Sequence, residues 1–456
     1  MQILLLVIGL GLLVWMTMRG INIIIAAIIS TSFVALVSGE NLAKALTDTY
    51  MKGFTGFFAS WFILFLLGAI FGKVMEDTGA ADGIATWIMK VLGPKGAVMA
   101  TVLACAILTY GGVSLFIVGF SVYPLAVSLF RGANLPRRFI PAALVFGSIS
   151  FTMTMPGSPE IQNLIPTKYF HTTPWAGSWI GILIALAIFA VGSLYLLRAI
   201  NKAVAAGEHF EDRVTDAHMI EAAQLEMAAA SATVTAAAGP SAPYGNVAEK
   251  RLPNVLVAII PLIVVVVVLA VLSQHMDSTS AAMYSMSAGI ISAWILMFNH
   301  VKRFWKALAD GAQEAIVATS NTCAVVGFGS VAATTEGFKQ VVTAVTHIPG
   351  PPLLGLGLAI TLICGLTGSA SGGLGIALPI LAPIYTKMGL DPGAMHRISA
   401  LASGGLDALP HNGYIVTTIR AICGETHKKA YGPVAMVSLV ITTVAMFAAI
   451  ALFSIF

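Results

Sequence analysis

Charge is scarce in this chain. Only 10% of its 456 residues are Asp, Glu, Lys or Arg, against 58% hydrophobic, and the mean hydropathy is +0.91. That composition excludes a soluble globular protein of this length and indicates a polytopic membrane protein. The net charge of +4 gives no nucleic-acid signature, because Lys and Arg in such chains mark cytoplasmic loops. Cysteine is scarce too. Cys105, Cys323, Cys364 and Cys423 stand singly in apolar segments, which excludes metal-type spacing and leaves them as small buried hydrophobes. The first apolar run, Ile3 to Met18, lacks a basic stretch before it and a clear small-residue cleavage site, so it is read as a retained helix.

The apolar runs fall into two sets separated by residues 201–252, a stretch rich in Ala, Ser, Thr, Glu and Asp without an apolar span, read as a solvated linker with a weak amphipathic helix at its middle. In residues 1–200 the pattern predicts crossings at 3–18, 21–37 and 54–74, and a short amphipathic piece at 40–52. An interfacial helix at 81–92 follows, then two short arms joined at Thr109 to Ser114. Each arm is shorter than a spanning helix needs, so the pair, about 95–131, is read as a re-entrant hairpin. A crossing broken at Pro156 to Pro159, about 137–170, and a closing crossing at 177–197 complete the set. Residues 253–456 repeat the plan, with a hairpin at about 351–388 whose tip is Thr367 to Gly373 and a broken crossing at about 394–422. The expected fold is all-α, two repeats of five crossings and one hairpin each, and an odd number of crossings gives the repeats opposite orientation.

Charge placement agrees with this layout. With both termini outside, three in four of the 24 Lys and Arg residues face the cytoplasm together with the linker, leaving Lys44, Lys52, Lys168, Lys339, Lys387 and Arg397 opposite.

The polar chemistry concentrates at the two interrupted segments, Thr152 to Asn163 (TMTMPGSPEIQN) and Ser403 to Thr418 (SGGLDALPHNGYIVTT). At one constant offset Pro136 matches Pro392, Gly119 matches Gly375 and Gly157 matches Gly413. Corresponding interruptions in two hydrophobic halves point to a secondary transporter's binding site, since freed backbone groups are tolerated at membrane depth only inside protein or along a wet cavity.

The hairpin tips offer Gly111, Gly112 and Ser114, and Ser369, Ser371 and Gly372. They suit either close helix packing or a carboxylate held by hydroxyls and half-helix N-termini. Asp407 and His411 are ionisable at membrane depth, where such groups are functional by default. They could carry a coupled proton or bind substrate, or, four apart on one helical face, simply satisfy each other. Asn163 and Asn412 suit hydroxyl or carboxylate recognition, with Gly157 and Ser158 beside them. Thr154 and Glu160 join Asp407 and His411 as candidates for ion coupling, although Glu160 could simply face water. Ser320, Asn321 and Thr322 in a later crossing either line a cavity or bond between helices. The other eight histidines, His396 among them, are placed in loops or at helix ends without ligand spacing. No metal or cofactor is expected beyond a coupling ion, H+ or Na+.

The run SGGLDALPHNG, with the GLTGSASGG tip and the hydrophobic frame around both, resembles the gluconate/proton symporter family of the ion transporter superfamily. The resemblance covers nearly all of the chain outside the linker. It implies uptake of a small hydroxy-carboxylate across a bacterial inner membrane by a homodimer whose transport domain slides against a scaffold like an elevator. The wording MPGSPEIQN at the first break is similar to the branch described as 3-hydroxybutyrate permeases, which puts a short hydroxy-monocarboxylate first and gluconate second. The rival classes are an anion channel and, more remotely, an intramembrane hydrolase using Asp407 and His411 with a tip serine.

Overall fold

The computed structural model describes residues 2–19, 21–93, 96–211, 252–346 and 348–455, and among them there is no strand. Helix is the one local structure that satisfies each apolar run's backbone within itself in lipid. The chain opens with α1 (Gln2–Met18) and α2 (Ile23–Val37), packed on each other. The helix α3 then runs from Leu42 to Asp77 without interruption, so the amphipathic piece expected at 40–52 is not a separate element. A single wide turn at Ala45–Tyr50 carries the helix through, because no proline interrupts it. After α4 (Ala80–Leu92) comes a hairpin of α5 (Ala97–Tyr110) and α6 (Leu115–Gly132). The first broken crossing is α7 (Ile140–Val145, continued by a wide turn at Phe146–Ser150), an irregular stretch, and α8 (Ile161–Phe170). It is closed by α9 (Ser178–Ala205), so the linker begins as helix; residues 212–251, including its expected amphipathic middle, lie outside the described residues.

The same order of elements follows residue 252. It comprises α10 (Val255–Leu272), α11 (Ser278–Leu296), the long α12 (Phe304–Thr334), α13 (Glu336–Thr346) and a second hairpin of α14 (Pro352–Thr367) and α15 (Ala370–Lys387). A broken crossing of α16 (Pro392–Ser403) and α17 (Gly413–Val416, continued by a wide turn to Ile422) leads to α18 (His427–Ile455). Seven helices among the described residues, α3, α6, α9, α10, α11, α12 and α18, are long and apolar enough to cross a membrane.

The packing has a regular form. α3 lies along α12, and α9 along α18. α2 packs on α12 and α11 on α3, while α1 meets α13 and α10 meets α4, so each pairing recurs with the halves exchanged. The hairpins cross over in the same way. α15 packs on α8, and Phe116 of α6 meets Tyr414 of α17 edge to face at 5.5 Å.

Small residues allow the central α3–α12 contact. A Cβ on Gly53 would lie 2.0 Å from Ser330 Oγ, and one on Gly311 would lie 2.8 Å from Ile70 Cα. Close backbone approach of this kind is how helices associate where no hydrophobic drive exists between them. Gly311→Leu is therefore expected to lower stability by about 1–3 kcal/mol through overpacking. Thermal unfolding in detergent checks it, and an unchanged midpoint would contradict the packing described.

Candidate substrate site at the paired breaks

The first break, Phe151 to Glu160, contains two Pro and one Gly that stop helix α7 from continuing. Gly157 has φ +80, and a Cβ there would lie 2.5 Å from the Trp175 ring, so both its backbone and its space require glycine. Its N–H donates to the Pro174 carbonyl (3.0 Å). Tyr110, at the first hairpin's tip, donates its hydroxyl to the Pro156 carbonyl (2.9 Å). A Cβ on Gly112 would meet Pro159 at 3.2 Å. The tip therefore lies directly on the break of its own half.

Arg397 holds this break from the other half of the chain. Placed by the charge count outside the membrane, and His396 with it in a loop, both instead belong to α16 and are fully buried. Arg397 Nε donates to the Ala176 carbonyl (3.1 Å). Nη1 donates to the Thr154 carbonyl and to Asn163 Oδ1 (2.9 Å). Nη2 donates to the carbonyls of Pro174 (3.1 Å) and Ala176 (2.8 Å). These contacts occupy all five N–H groups of a guanidinium, and every acceptor is neutral.

Asn163 Nδ2 donates to the carbonyls of Ser158 (2.8 Å) and Pro174 (3.0 Å). With its Oδ1 accepting from Arg397, the amide orientation is fixed. His396 Nε2, 3.2 Å from that oxygen, then carries the proton, and Nδ1, 2.7 Å from Thr172 Oγ1, accepts. Asn163 is thus committed to the protein on every polar atom. Ser158 is fully buried with its Oγ accepting from the Glu160 N–H (3.3 Å). The Glu160 carboxylate is half-buried and has no hydrogen-bond or ion-pair partner among the described residues.

The second break spans Gly404 to Asn412 around one 3-10 turn at Leu406–Ala408. Asn412 Oδ1 accepts from the Ile415 N–H (3.0 Å) as the cap of α17, and its Nδ2 donates to the Gly368 carbonyl (3.2 Å) of the second hairpin tip. Gly368, at φ +60, lies close against the His411 ring, where a Cβ would be 2.4 Å from Cδ2. Asp407 and His411 do not satisfy each other, because the chain between them is not helical. Asp407 Oδ1 and His411 Nε2 are both buried without a partner. At the tip, Ser369 Oγ accepts from the Gly372 N–H (3.1 Å) as the cap of α15. Ser371, in the first turn, has no hydroxyl partner among the described residues, and Ser114 makes no cap bond at the start of α6.

The two breaks touch. A Cβ on Gly404 would lie 3.4 Å from the Thr154 methyl. On the first-break side of this contact is the buried Arg397 guanidinium, with no carboxylate partner among the described residues; on the other, the second break and its tip carry the Ser371 hydroxyl and the unbonded Asp407 Oδ1 and His411 Nε2. Such a region can hold an anion through hydroxyls, helix N-termini and an uncompensated positive charge. No hydrogen bond joins Asn163 to Asn412 or Ser114 to Ser371 among the described residues. Thr322 of the Ser320–Thr322 triplet bonds back to the Ala318 carbonyl (3.1 Å) within α12.

Comparison with known proteins bears on the family and the fold. A family model described as "GntP family permease" matches residues 1–240. An uncharacterized transporter of Bacillus subtilis, YxjC, is 35% identical over all of this chain and 99% of its own length. A gluconate permease of Pseudomonas aeruginosa is 33% identical over 85 residues, 19% of each chain. Among solved structures, the YdaH transporter of Alcanivorax borkumensis aligns with 91% of this chain and 88% of its own at TM-score 0.52 and 14% identity. MtrF of Neisseria gonorrhoeae aligns with 91% and 84% at TM-score 0.50 and 14% identity, and at that identity both likenesses concern the fold alone. With more than half of the chain matched by one family model and all of it aligned to a transporter, the chain belongs to the GntP family of permeases, multi-pass membrane transporters and not enzymes.

Proposed function

We propose that the chain is a secondary active transporter that takes up a small hydroxy-monocarboxylate, 3-hydroxybutyrate first, coupled to protons or sodium. One observation carries this reading: Arg397 brings a positive charge to the first break at Thr154, which the second break touches through Gly404, and no carboxylate among the described residues pairs with it. The substrate carboxylate lies toward the tips, with Ser114, Ser369 and Ser371 as donors, and its hydroxyl meets Asn412 or His411. Asn163, Gly157 and Ser158 shape the first break and hold Arg397 in place. Asp407, His411 and Glu160 are the proton-coupling groups, and the breaks' carbonyls and the Thr154 hydroxyl suit a hard cation if sodium is used.

The exchanged helix pairings support two repeats of opposite orientation. Hairpins and broken crossings would then move together against a scaffold built on α3 and α12, in a homodimer of the bacterial inner membrane with termini outside and the 201–252 linker in the cytoplasm. Gluconate is the second reading, favoured by the stretch shared with the Pseudomonas gluconate permease.

The test is uptake into proteoliposomes of labelled 3-hydroxybutyrate and of gluconate, under a proton or a sodium gradient imposed separately. His411→Ala and Ser371→Ala should each reduce uptake at least about tenfold, the effect of losing one hydrogen bond to a charged group. Parental rates in both would refute the site assignment.

A further inference from the structure

Outside the breaks, a surface groove of about 790 Å³ opens between the last turns of α9, the start of the first broken crossing and the start of α18. Its α9 wall changes character along one stripe. Val191 and Leu194, exposed to 53% and 48%, come first, and Arg198 and Lys202 follow. Arg198 and Lys202 are one turn apart on the same face, where like charges repel, and neither has an ion-pair partner among the described residues. Arg138 faces them across the groove. It is bridged to Glu208 at 2.6 and 2.8 Å, which leaves the one acid among the described lining residues engaged and Arg198 and Lys202 without an acidic partner among the described residues.

From Val191 to Lys202 the stripe extends about 16 Å along the helix. An occupant must therefore have an anionic end and a long apolar body. A soluble anion would leave the exposed apolar wall uncovered, whereas a lipid fills both parts.

We propose that this groove binds one anionic phospholipid, with its phosphate on Arg198 and Lys202 and an acyl chain along Val191 and Leu194. Basic residues at the cytoplasmic end of a membrane helix attract anionic headgroups, and each contributes a few-fold in affinity or more. A zwitterionic lipid binds less well, because its cationic group would face Arg138, and Glu208 is already paired.

The test is native mass spectrometry of the purified transporter titrated with phosphatidylglycerol or phosphatidylcholine. The parent should retain phosphatidylglycerol preferentially. The double variant Arg198→Gln/Lys202→Gln should bind it roughly thirty-fold more weakly with phosphatidylcholine unchanged, and Arg198→Lys/Lys202→Arg should bind it as the parent does. Full retention of phosphatidylglycerol by the Gln variant overturns the proposal, as does an equal loss of both lipids or an equal loss in the charge-preserving variant. Displacement of phosphatidylglycerol by excess inorganic phosphate would show a site for a soluble phosphate, and also overturns it.

Discussion

Arg397→Gln is expected to weaken uptake strongly, through substrate affinity, and to destabilise the protein, whereas Arg397→Lys should keep much of the substrate affinity. The guanidinium's five N–H groups serve the carbonyls of Thr154, Pro174 and Ala176 and the Asn163 amide oxygen. Gln brings two donors to the same place. Buried acceptors left without a partner cost about 1–3 kcal/mol each, and losing one member of a buried charged network about 3–5 kcal/mol. Lys retains the charge but cannot fork across several acceptors, so it too should lower the unfolding midpoint.

The two variants separate fastening from charge. At an effective dielectric of about 20 and a separation of about 8 Å, a unit charge contributes about 2 kcal/mol, roughly thirty-fold in anion affinity. Apparent KM for the carboxylate should rise by that order in the Gln variant and stay near the parent's in the Lys variant. The parent should also favour the acid over its neutral amide, and the Gln variant should lose that preference. Equal KM changes in Gln and Lys would mean that Arg397 only fastens the break.

Gly368→Ala is expected to have the second largest effect. At φ +60 an added Cβ costs about 1–2 kcal/mol by itself, and it would drive the His411 ring away from a position 2.4 Å distant. The ring cannot move without disturbing the Asn412 bond to the Gly368 carbonyl. Uptake should fall more than about tenfold, given what a misplacement of about 1 Å does to a bound geometry. Gly413→Ala is the matched control, because nothing lies within 4 Å of its Cβ position and its φ is not positive. If both variants transported like the parent, the second tip and the second break would not form one site.

The frame of this molecule was legible because lipid leaves the backbone few choices. Runs of apolar residues became helices, the Gly-Gly and Gly-Ser tips became hairpin turns, and Pro156 and Pro410 lie within the two breaks. The amphipathic piece expected at 40–52 merges into α3, because polarity alone does not end a helix. The pairing of Asp407 with His411 rested on helical periodicity, which does not persist through a break.

Arg397 and His396 were misplaced for a different reason. Counting loop charges assumes that each cation is at the surface, and no local pattern reveals that acceptors far away in the chain converge on one guanidinium. One local sign was present: both residues follow Pro392 inside a helix that continues for two more turns. Asn163 was similarly read as facing substrate, while its atoms are taken up by Ser158, Pro174 and Arg397.

Hydrogen exchange read by mass spectrometry tests the central claim most directly, on the unaltered protein in lipid, with and without whichever hydroxy-carboxylate it transports. The site described here requires slower exchange in residues 151–163 and 404–413 together, and at both hairpin tips. Protection confined to one break, or to neither while uptake proceeds, would contradict a substrate held between them.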